Sequence, residues 1–530
     1  MTLGRERHTP VWDYIIVGGG TAGCLIAARL AEDADTRVLL LEAGPRYPVV
    51  PLGVPLVGLR FKEHYAWNYM SQPQPGLLMR SVPFPFGRVL GGSSSVNAMM
   101  YVRGDAQCYD RWAALGNPGW AFADLLPYFR RAEHQERGPS AHHGTGGPIP
   151  VSDPVHVAPF SRAFVDACRE IGLPTTDDFN GPRPDGAGLF QLMQSSGHRA
   201  TTASLVAGRR GRVAVATGAS VERIVFENAR AVAVEYTSRD GRRHVARTSR
   251  EVIVSAGAFN SPKLLMLSGV GSAGRLRTLG IPVVVDLPGV GANLQDHVRI
   301  PVLYRSGQRS PASPRHWLRA VLEYGARRRG VLASNCCEAG ARIRSRADAN
   351  CVDLQIVTHF QSAAGRDAVD LEVCLFQTAS RGTVTIASRD PAAPPSIDPQ
   401  YLAADADMRL AIDGVRLARR LAAASALRRF PLTDELAPGP RAATARELEH
   451  YIRSAATTSF HPAGSCRMGN DAGAVVNAQL QVRGVERLRV IDASVMPELP
   501  NGHTAAPTLM IAERGADLLR GRGAPAEVRV

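Results

Sequence analysis

The sequence predicts an α/β fold, with one domain on a mostly parallel sheet and a smaller one on an antiparallel sheet. Three observations carry this expectation. The first is Val-Trp-Asp-Tyr-Ile-Ile-Val-Gly-Gly-Gly-Thr-Ala-Gly at 11–23, followed by Val-Leu-Leu-Leu-Glu at 38–42. A buried strand, a glycine turn, a helix start, a second strand and an acidic residue follow in the order of a Rossmann-like dinucleotide-binding unit. The second is a run of strand-like segments over 213–254, whose last member, Glu-Val-Ile-Val-Ser-Ala-Gly at 251–257, reads as a return to the same sheet. The third is the stretch 300–455, which has alternating segments but no nucleotide signal.

In the first unit each residue type has a physical role. Gly18 allows the tight turn, Gly20 lets backbone approach a pyrophosphate, and Gly23 lets the helix pack closely on the strand. The helix N-terminus at Thr21 and Ala22 points free N–H groups and its positive dipole end at phosphate. Glu42, 19 residues past Gly23, can accept both ribose hydroxyls and would repel a 2′-phosphate, which disfavours NADP. The plainer alternative, a glycine turn that binds nothing, does not account for the flanking strand, helix and acid together.

The remaining elements follow in order. The Pro-rich stretch with Pro45, Pro48, Pro51 and Pro55 reads as irregular, and 87–104 as a Gly/Ser loop. Residues 105–135 read as helical, anchored by Trp112, Leu115, Leu125, Leu126 and Tyr128; 142–154 reads as loop and 158–172 as helix. Ser261-Pro262 is expected to open a helix. A long helix is expected around 405–424, a short strand at 487–492, and a final helix from about Pro507 to Leu519 with Gly521 after it. Domain boundaries are expected at 1–155, 213–299 and 457–530 for the dinucleotide domain, with 156–212 and 300–456 forming the second domain.

Composition excludes several function classes. The chain has 530 residues, 45% hydrophobic content and a formal charge of +14. Only Lys62 and Lys263 are lysines, so the basic charge is nearly all arginine. The arginines are dispersed, with short clusters at 209–212 and 327–329. No basic stripe is interleaved with stacking aromatics, which argues against nucleic-acid binding. No apolar run reaches the ~18 residues of a membrane span, and the N-terminus lacks the apolar core of a secretory signal. A cytoplasmic location is expected. The eight cysteines show no metal-ligand spacing, so free thiols are expected and no metal site. His142 and His143 have no matching ligand cluster.

Several longer strings remain. They are 87–104 (Gly-Arg-Val-Leu-Gly-Gly-Ser-Ser-Ser-Val-Asn-Ala-Met-Met-Tyr-Val-Arg-Gly), 257–271 (Gly-Ala-Phe-Asn-Ser-Pro-Lys-Leu-Leu-Met-Leu-Ser-Gly-Val-Gly) and 290–297 (Val-Gly-Ala-Asn-Leu-Gln-Asp-His). Nearer the C-terminus stand 461–469 (His-Pro-Ala-Gly-Ser-Cys-Arg-Met-Gly), 490–497 (Val-Ile-Asp-Ala-Ser-Val-Met-Pro) and 501–513 (Asn-Gly-His-Thr-Ala-Ala-Pro-Thr-Leu-Met-Ile-Ala-Glu). With these the chain resembles, over nearly its whole length, the glucose–methanol–choline (GMC) oxidoreductases, FAD-dependent alcohol oxidases and dehydrogenases.

The resemblance implies an FAD domain of p-hydroxybenzoate-hydroxylase type, discontinuous in sequence, and a smaller substrate domain. It implies that Gly18, Gly20, Gly23 and Glu42 hold the ADP part, with the backbone at Val221 near the adenine. Arg88, Gly92, Ser93 and Asn97 would line the flavin and pyrophosphate. Asp492, Ala493 and Thr504 would sit against the ribityl chain and pyrimidine end, where the final helix, opened by Pro507, aims its N-terminus. The implied catalytic pair is His461 and His503, the latter replacing an asparagine found in many relatives. Where some relatives attach FAD through a histidine, this chain has Val96, so non-covalent FAD is expected. His297, in its Asp-His pair, reads as structural, and Met99, Met100 and Trp67 as packing.

Oxidising an alcohol removes a hydroxyl proton and a carbinol hydride. Histidine, with an ordinary pKa near 6.5, suits the proton, and the rate is expected to rise with pH through one histidine ionisation. The expected function is oxidation of a CH–OH group, most simply a primary alcohol to an aldehyde, with His461 as base and His503 assisting. Choline-, sugar-, amino-sugar- and aryl-alcohol-type substrates stay open, as do oxygen and a quinone or dye as electron acceptor. Rival readings on the same fold are a hydroxynitrile-lyase-like lyase, a flavin photodecarboxylase and a flavin binder without turnover.

Overall fold

The computed structural model describes residues 10–207, 212–306, 314–346, 349–363, 366–430, 432–523 and 525. The arginine cluster at 209–212 lies mostly outside them. Among the described residues two large sheets organise the chain.

The first sheet runs Val213–Thr217, Val38–Glu42, Val11–Val17, Arg243–Val254, Arg230–Thr237, Ser220–Glu227, with Leu488–Val490 also paired to Arg243–Val254. The 12-residue strand Arg243–Val254 serves two neighbourhoods. Its last residues lie parallel between Tyr14–Val17 and Leu488–Val490, while its first half pairs antiparallel with Arg230–Thr237. Ile15, Ile16, Leu40, Ile253 and Val490 are sealed from solvent, as a parallel sheet covered on both faces requires. The final helix, Ala505–Arg520, packs on the first, Thr21–Leu30, and buried Glu513 ties Arg29 and Arg131 across them.

The glycine turn is built as its sequence demands. Gly18 has φ 102°, and a Cβ there would lie 2.4 Å from the Ser255 carbonyl oxygen. A Cβ on Gly23 would lie 1.9 Å from the Gly18 oxygen. Either substitution would drive the turn away from its strand.

The second sheet is antiparallel and runs Leu432–Ala437, Leu303–Ser306, Arg366–Leu375, Leu354–Ala363, Ala339–Ile343, Gly186–Leu189, with Val298–Ile300 and Thr457–Thr458 joined to it. Period-two alternation sorts its faces. Leu354, Ile356, Leu371, Val373, Leu375, Val298 and Ile300 pack in one apolar cluster with Phe160, Phe164, Ala411 and Val415 from the helices Pro159–Glu170 and Asp405–Ala422. The intervening residues, Gln355, His359, Glu372, Cys374, His297 and Arg299, project from the opposite face. An eight-stranded sheet thus presents a polar face on one side while its other side forms a core.

Several local expectations need correction. Residues 105–135 form two helices, Ala106–Ala114 and Phe122–Ala132, because Gly116 and Gly119 adopt φ of 89° and 81° and break the run. Glu133–Gln135 and Ile149–Val151, in stretches read as helix and loop, pair as strands. The Pro-rich stretch is not wholly irregular: Pro55 opens the helix Pro55–Phe61, a position where its missing N–H costs nothing. The helix expected at Ser261-Pro262 begins at Gly257 and carries Pro262 inside it, and the final helix begins at Ala505, two residues before Pro507.

Candidate active site

The glycine turn, the loop 87–97 and the helix Gly257–Leu267 converge. Gly91 N–H donates to the Gly19 carbonyl at 2.7 Å and Leu90 N–H to that of Pro45 at 3.0 Å. A Cβ on Gly20 would meet nothing nearer than 3.9 Å, yet one on Gly92 would lie 2.7 Å from the Gly20 Cα. Two bare backbones therefore face each other with no side chain between them. No side chain caps the first helix, so its first N–H groups have no protein acceptor of their own. Ser93 Oγ accepts weakly from Gly87 N–H at 3.4 Å, and Asn97 Oδ1 accepts from Arg199 at 2.9 Å. Arg88 is exposed and lays its guanidinium 4.5 Å from the centre of the Trp67 ring.

Glu42 is buried, and its carboxylate accepts from Gly19 and Gly44 N–H at 2.9 and 2.7 Å. Burial outweighs these two bonds and pushes its pKa up to about 7. A carboxylate has about four acceptor sites, so capacity remains for two ribose hydroxyls. Ala219 N–H donates to the Glu42 carbonyl at 2.9 Å, which brings Val221, two residues on, to this end of the site. Orphaned helix N–H groups, apposed glycines and an under-satisfied buried carboxylate together fit the ADP part of FAD.

At the other end, Asp492 is fully committed to the protein. Its carboxylate accepts from Gly257 N–H and Ser261 Oγ on one oxygen, and from Ser494 N–H and Oγ on the other. It locks the end of Leu488–Val490 to the start of Gly257–Leu267, so any cofactor contact at Asp492 is through its backbone. The Ala493 carbonyl accepts from Gly464 N–H at 3.2 Å. Thr504 heads the final helix without a side-chain cap, leaving N–H groups free there also. Val96 is buried with Leu52 and Val89.

His461 and His503 come together although 42 residues apart: their ring centroids are 5.2 Å apart and tilted 33°. The structure adds two residues. His297, read as structural, places its Nδ1 3.0 Å from the His461 Nδ1. Gln355 places its amide nitrogen 3.3 Å from the His503 Nε2. Asp296, buried, accepts from His461 N–H at 2.8 Å, from Tyr401 at 2.5 Å and from Thr458 at 2.6 Å. The Asp-His pair thus holds both the backbone and the ring of His461. Only the pairing of the two residues with position 461 gives the string 290–297 that meaning, and no local signal announces it. Phe376 packs 4.6 Å from the His297 ring and 6.1 Å from that of His503.

Burial controls the electrostatics. It pushes His461 down to about 4, with Glu372 the one charge acting upward. His297 and His503 are pushed well below the ordinary value by burial and by their histidine neighbours. All three imidazoles are neutral at pH 7. The other striking histidine, His143, bridges Glu133 at 2.9 Å and Asp178 at 2.8 Å beside the buried pair Arg103–Glu133. It is a buried brace that bonds none of these three histidines.

The family pattern described as GMC oxidoreductase matches in two parts, over residues 12–299 and 378–512. The mitochondrial choline dehydrogenase of Mus musculus is 40% identical over 99% of this chain and 91% of its own length. An alcohol dehydrogenase [acceptor] of Pseudomonas putida is 39% identical over 96% of each. Among solved structures, pyridoxine 4-oxidase from "Mesorbium loti" superposes with a TM-score of 0.87 at 31% identity, covering 95% of this chain and 98% of that one.

Proposed function

The chain belongs to the GMC oxidoreductase family, an FAD-dependent oxidoreductase of CH–OH donors, and from that premise we propose that it oxidises a primary alcohol to an aldehyde with His461 as base and His503 as hydrogen-bond donor. The observation that carries this reading is the pair of tilted imidazoles 5.2 Å apart, each with one nitrogen held by a neighbour. One hydroxyl oxygen can bond both rings at ordinary distances of about 2.8 Å.

The neighbours set the tautomers. For His461 Nε2 to accept a proton, its Nδ1–H must point at His297 Nδ1, which places the proton of His297 on Nε2. That Nε2 is buried and without a partner, so the arrangement costs His297 a hydrogen bond and serves His461. His297 is therefore a positioning residue. The Gln355 amide donates to His503 Nε2, which leaves the proton on His503 Nδ1, also buried and unpartnered. That N–H is the donor offered to the alcohol oxygen.

Bound FAD supplies a two-electron acceptor for the carbinol hydride. His461 takes the O–H proton as the carbinol hydrogen departs with its bonding pair as hydride, and the carbon–oxygen bond becomes double. An alcohol with pKa near 16 facing a base at about 4 makes complete proton transfer cost roughly 16 kcal/mol at ~1.36 per unit. The site cannot rest on free alkoxide, so proton removal moves with loss of the hydride while His503 stabilises the oxygen. Val96 offers no nucleophile, which supports non-covalent FAD. No helix among the described residues is long and apolar enough to cross a membrane; a cytoplasmic location and oxygen or a quinone or dye as electron acceptor complete the proposal.

The test is anaerobic: a panel of alcohols is mixed with holoenzyme and bleaching of the flavin followed, then air is admitted and peroxide measured. His461→Ala should slow bleaching by ~10²–10⁴-fold with FAD retained, as loss of a general base does. No bleaching by any alcohol would overturn alcohol oxidation, and an unimpaired variant would overturn the role of His461.

A further inference from the structure

Beside His461 two cations meet one aromatic ring. Arg299 shares a sheet face with His297, and on the neighbouring strand its partner in register is Cys374, two residues from Glu372. Arg299 donates to Glu372 at 2.6 Å, which spends the one carboxylate charge there, and its buried Nε bonds nothing. The guanidinium lies 5.2 Å from the centre of the Phe460 ring, and Lys62 Nζ lies 5.1 Å from the same centre. Phe460 directly precedes His461.

Among the described residues, Lys62 Nζ has this ring contact but no hydrogen bond or ion pair. The other lysine, Lys263, is tied to the carbonyls of Pro391 and Ala393 at 2.7 and 2.6 Å. The other titratable groups near the pair have contacts of their own. Asp370 lies 3.5 Å from His359 Nε2 and accepts from Val302 N–H at 3.0 Å, so both of its carboxylate oxygens are engaged. Glu63, beside Lys62, is exposed. His359, Asp370 and Glu372 have ligand atoms close enough for a metal ion, but Arg299 already occupies Glu372.

Two like charges at one ring repel. The backbone is strained as well, since Phe460 has φ 63°, rare for a bulky residue and concentrated at functional sites. A ligand anion would relieve the repulsion. Arg299 answers Glu372, while the Lys62 ammonium, its pKa pushed down by burial and by Arg299, has no acceptor among the described residues. One carboxylate would supply it with both acceptor atoms and a countercharge, and a phosphate dianion would overfill the site. A quaternary ammonium group seeks an aromatic face free of other cations, and this one is already faced by two.

We propose that Lys62 and Arg299, over Phe460, hold a carboxylate on the substrate, so that the alcohol oxidised at His461 is a hydroxy acid. This rests on the alcohol-oxidation reading and adds the substrate class to it.

The experiment compares four benzyl alcohols of similar shape: 4-(hydroxymethyl)benzoate, its methyl ester, its trimethylammonium counterpart and 4-(hydroxymethyl)phenyl phosphate. Anaerobic flavin reduction by holoenzyme is measured for each. The expected order of kcat/KM is carboxylate above ester above ammonium, with at least tenfold between the first two and the phosphate below the carboxylate. Lys62→Met should reduce the carboxylate-to-ester ratio at least tenfold, mainly through KM. Lys62→Arg should restore it, which a merely structural role would not predict. In parallel, binding of unreactive benzoate, benzamide and phenyltrimethylammonium is read from the flavin spectrum, where benzoate should bind tightest. Reduction by the ester with no preference for the carboxylate overturns the proposal and leaves alcohol oxidation standing. Preference for phosphate overturns the carboxylate, and an unchanged ratio in Lys62→Met overturns the role of Lys62. If no benzyl alcohol reduces the flavin, equal or weaker binding of benzoate overturns it.

Discussion

Lowering the pH tests the proposed role of His461 most directly. An ordinary histidine at about 6.5 is neutral in only about a quarter of molecules at pH 6, whereas one at about 4 is neutral in about 99%. Anaerobic flavin reduction at saturating alcohol should therefore vary less than twofold between pH 5.5 and 9, reach half its maximum near pH 4, and fall about tenfold per unit below that. The expectation that ionisation falls in the usual histidine range changes because burial disfavours the imidazolium. The same shift acts on stability. His461 binds its proton more weakly folded than unfolded, so its contribution is complete above about pH 6.5 and is lost as pH falls towards 4, by roughly 3.4 kcal/mol at ~1.36 per unit. The low-pH points are therefore taken by stopped-flow pH jump, before unfolding proceeds. A half-maximum between pH 6 and 7, unchanged by substrate, would refute the assignment of His461 as a base with a depressed pKa.

Three further outcomes are expected. Glu42 is pushed up to about 7, and ribose hydroxyls donating to it favour its charged form. FAD binding should therefore release about one proton near pH 6 and tighten as pH rises to 8; calorimetry in buffers of different ionisation enthalpy measures this, and Glu42→Gln should abolish the release. His503→Asn should slow flavin reduction far less than His461→Ala, because an amide still donates to the oxygen; a larger loss in His503→Asn than in His461→Ala would reverse the two roles. Acid precipitation should leave the yellow colour in the supernatant, and flavin in the pellet would reveal a covalent attachment that Val96 does not foretell.

The parts of this protein legible in its sequence are those whose physics is local. Gly18 and Gly23 are demanded by a turn spanning six residues, and Glu42 by the strand that follows. Alternation within 300–455 and periodicity in 405–424 mark elements because neighbours along the chain share a face. His461 and His503 were legible only through the strings around them. Their chemistry was not, because it depends on groups far away in the chain: His297 is 164 residues from His461, and Gln355 148 from His503.

Helix starts at Gly257 and Ala505 escaped the proline signals because proline is tolerated near a helix start and does not have to mark it. By itself, then, the sequence determined the dinucleotide turn, the two kinds of sheet and the identity of the paired histidines. The tertiary structure alone decided the tautomer partners, the depressed histidine pKa values and the convergence of Lys62 and Arg299 on Phe460. Hydrogen-bond partners, desolvation and charge balance are set by what surrounds a group in space, and in this fold those surroundings come from strands and loops hundreds of residues apart.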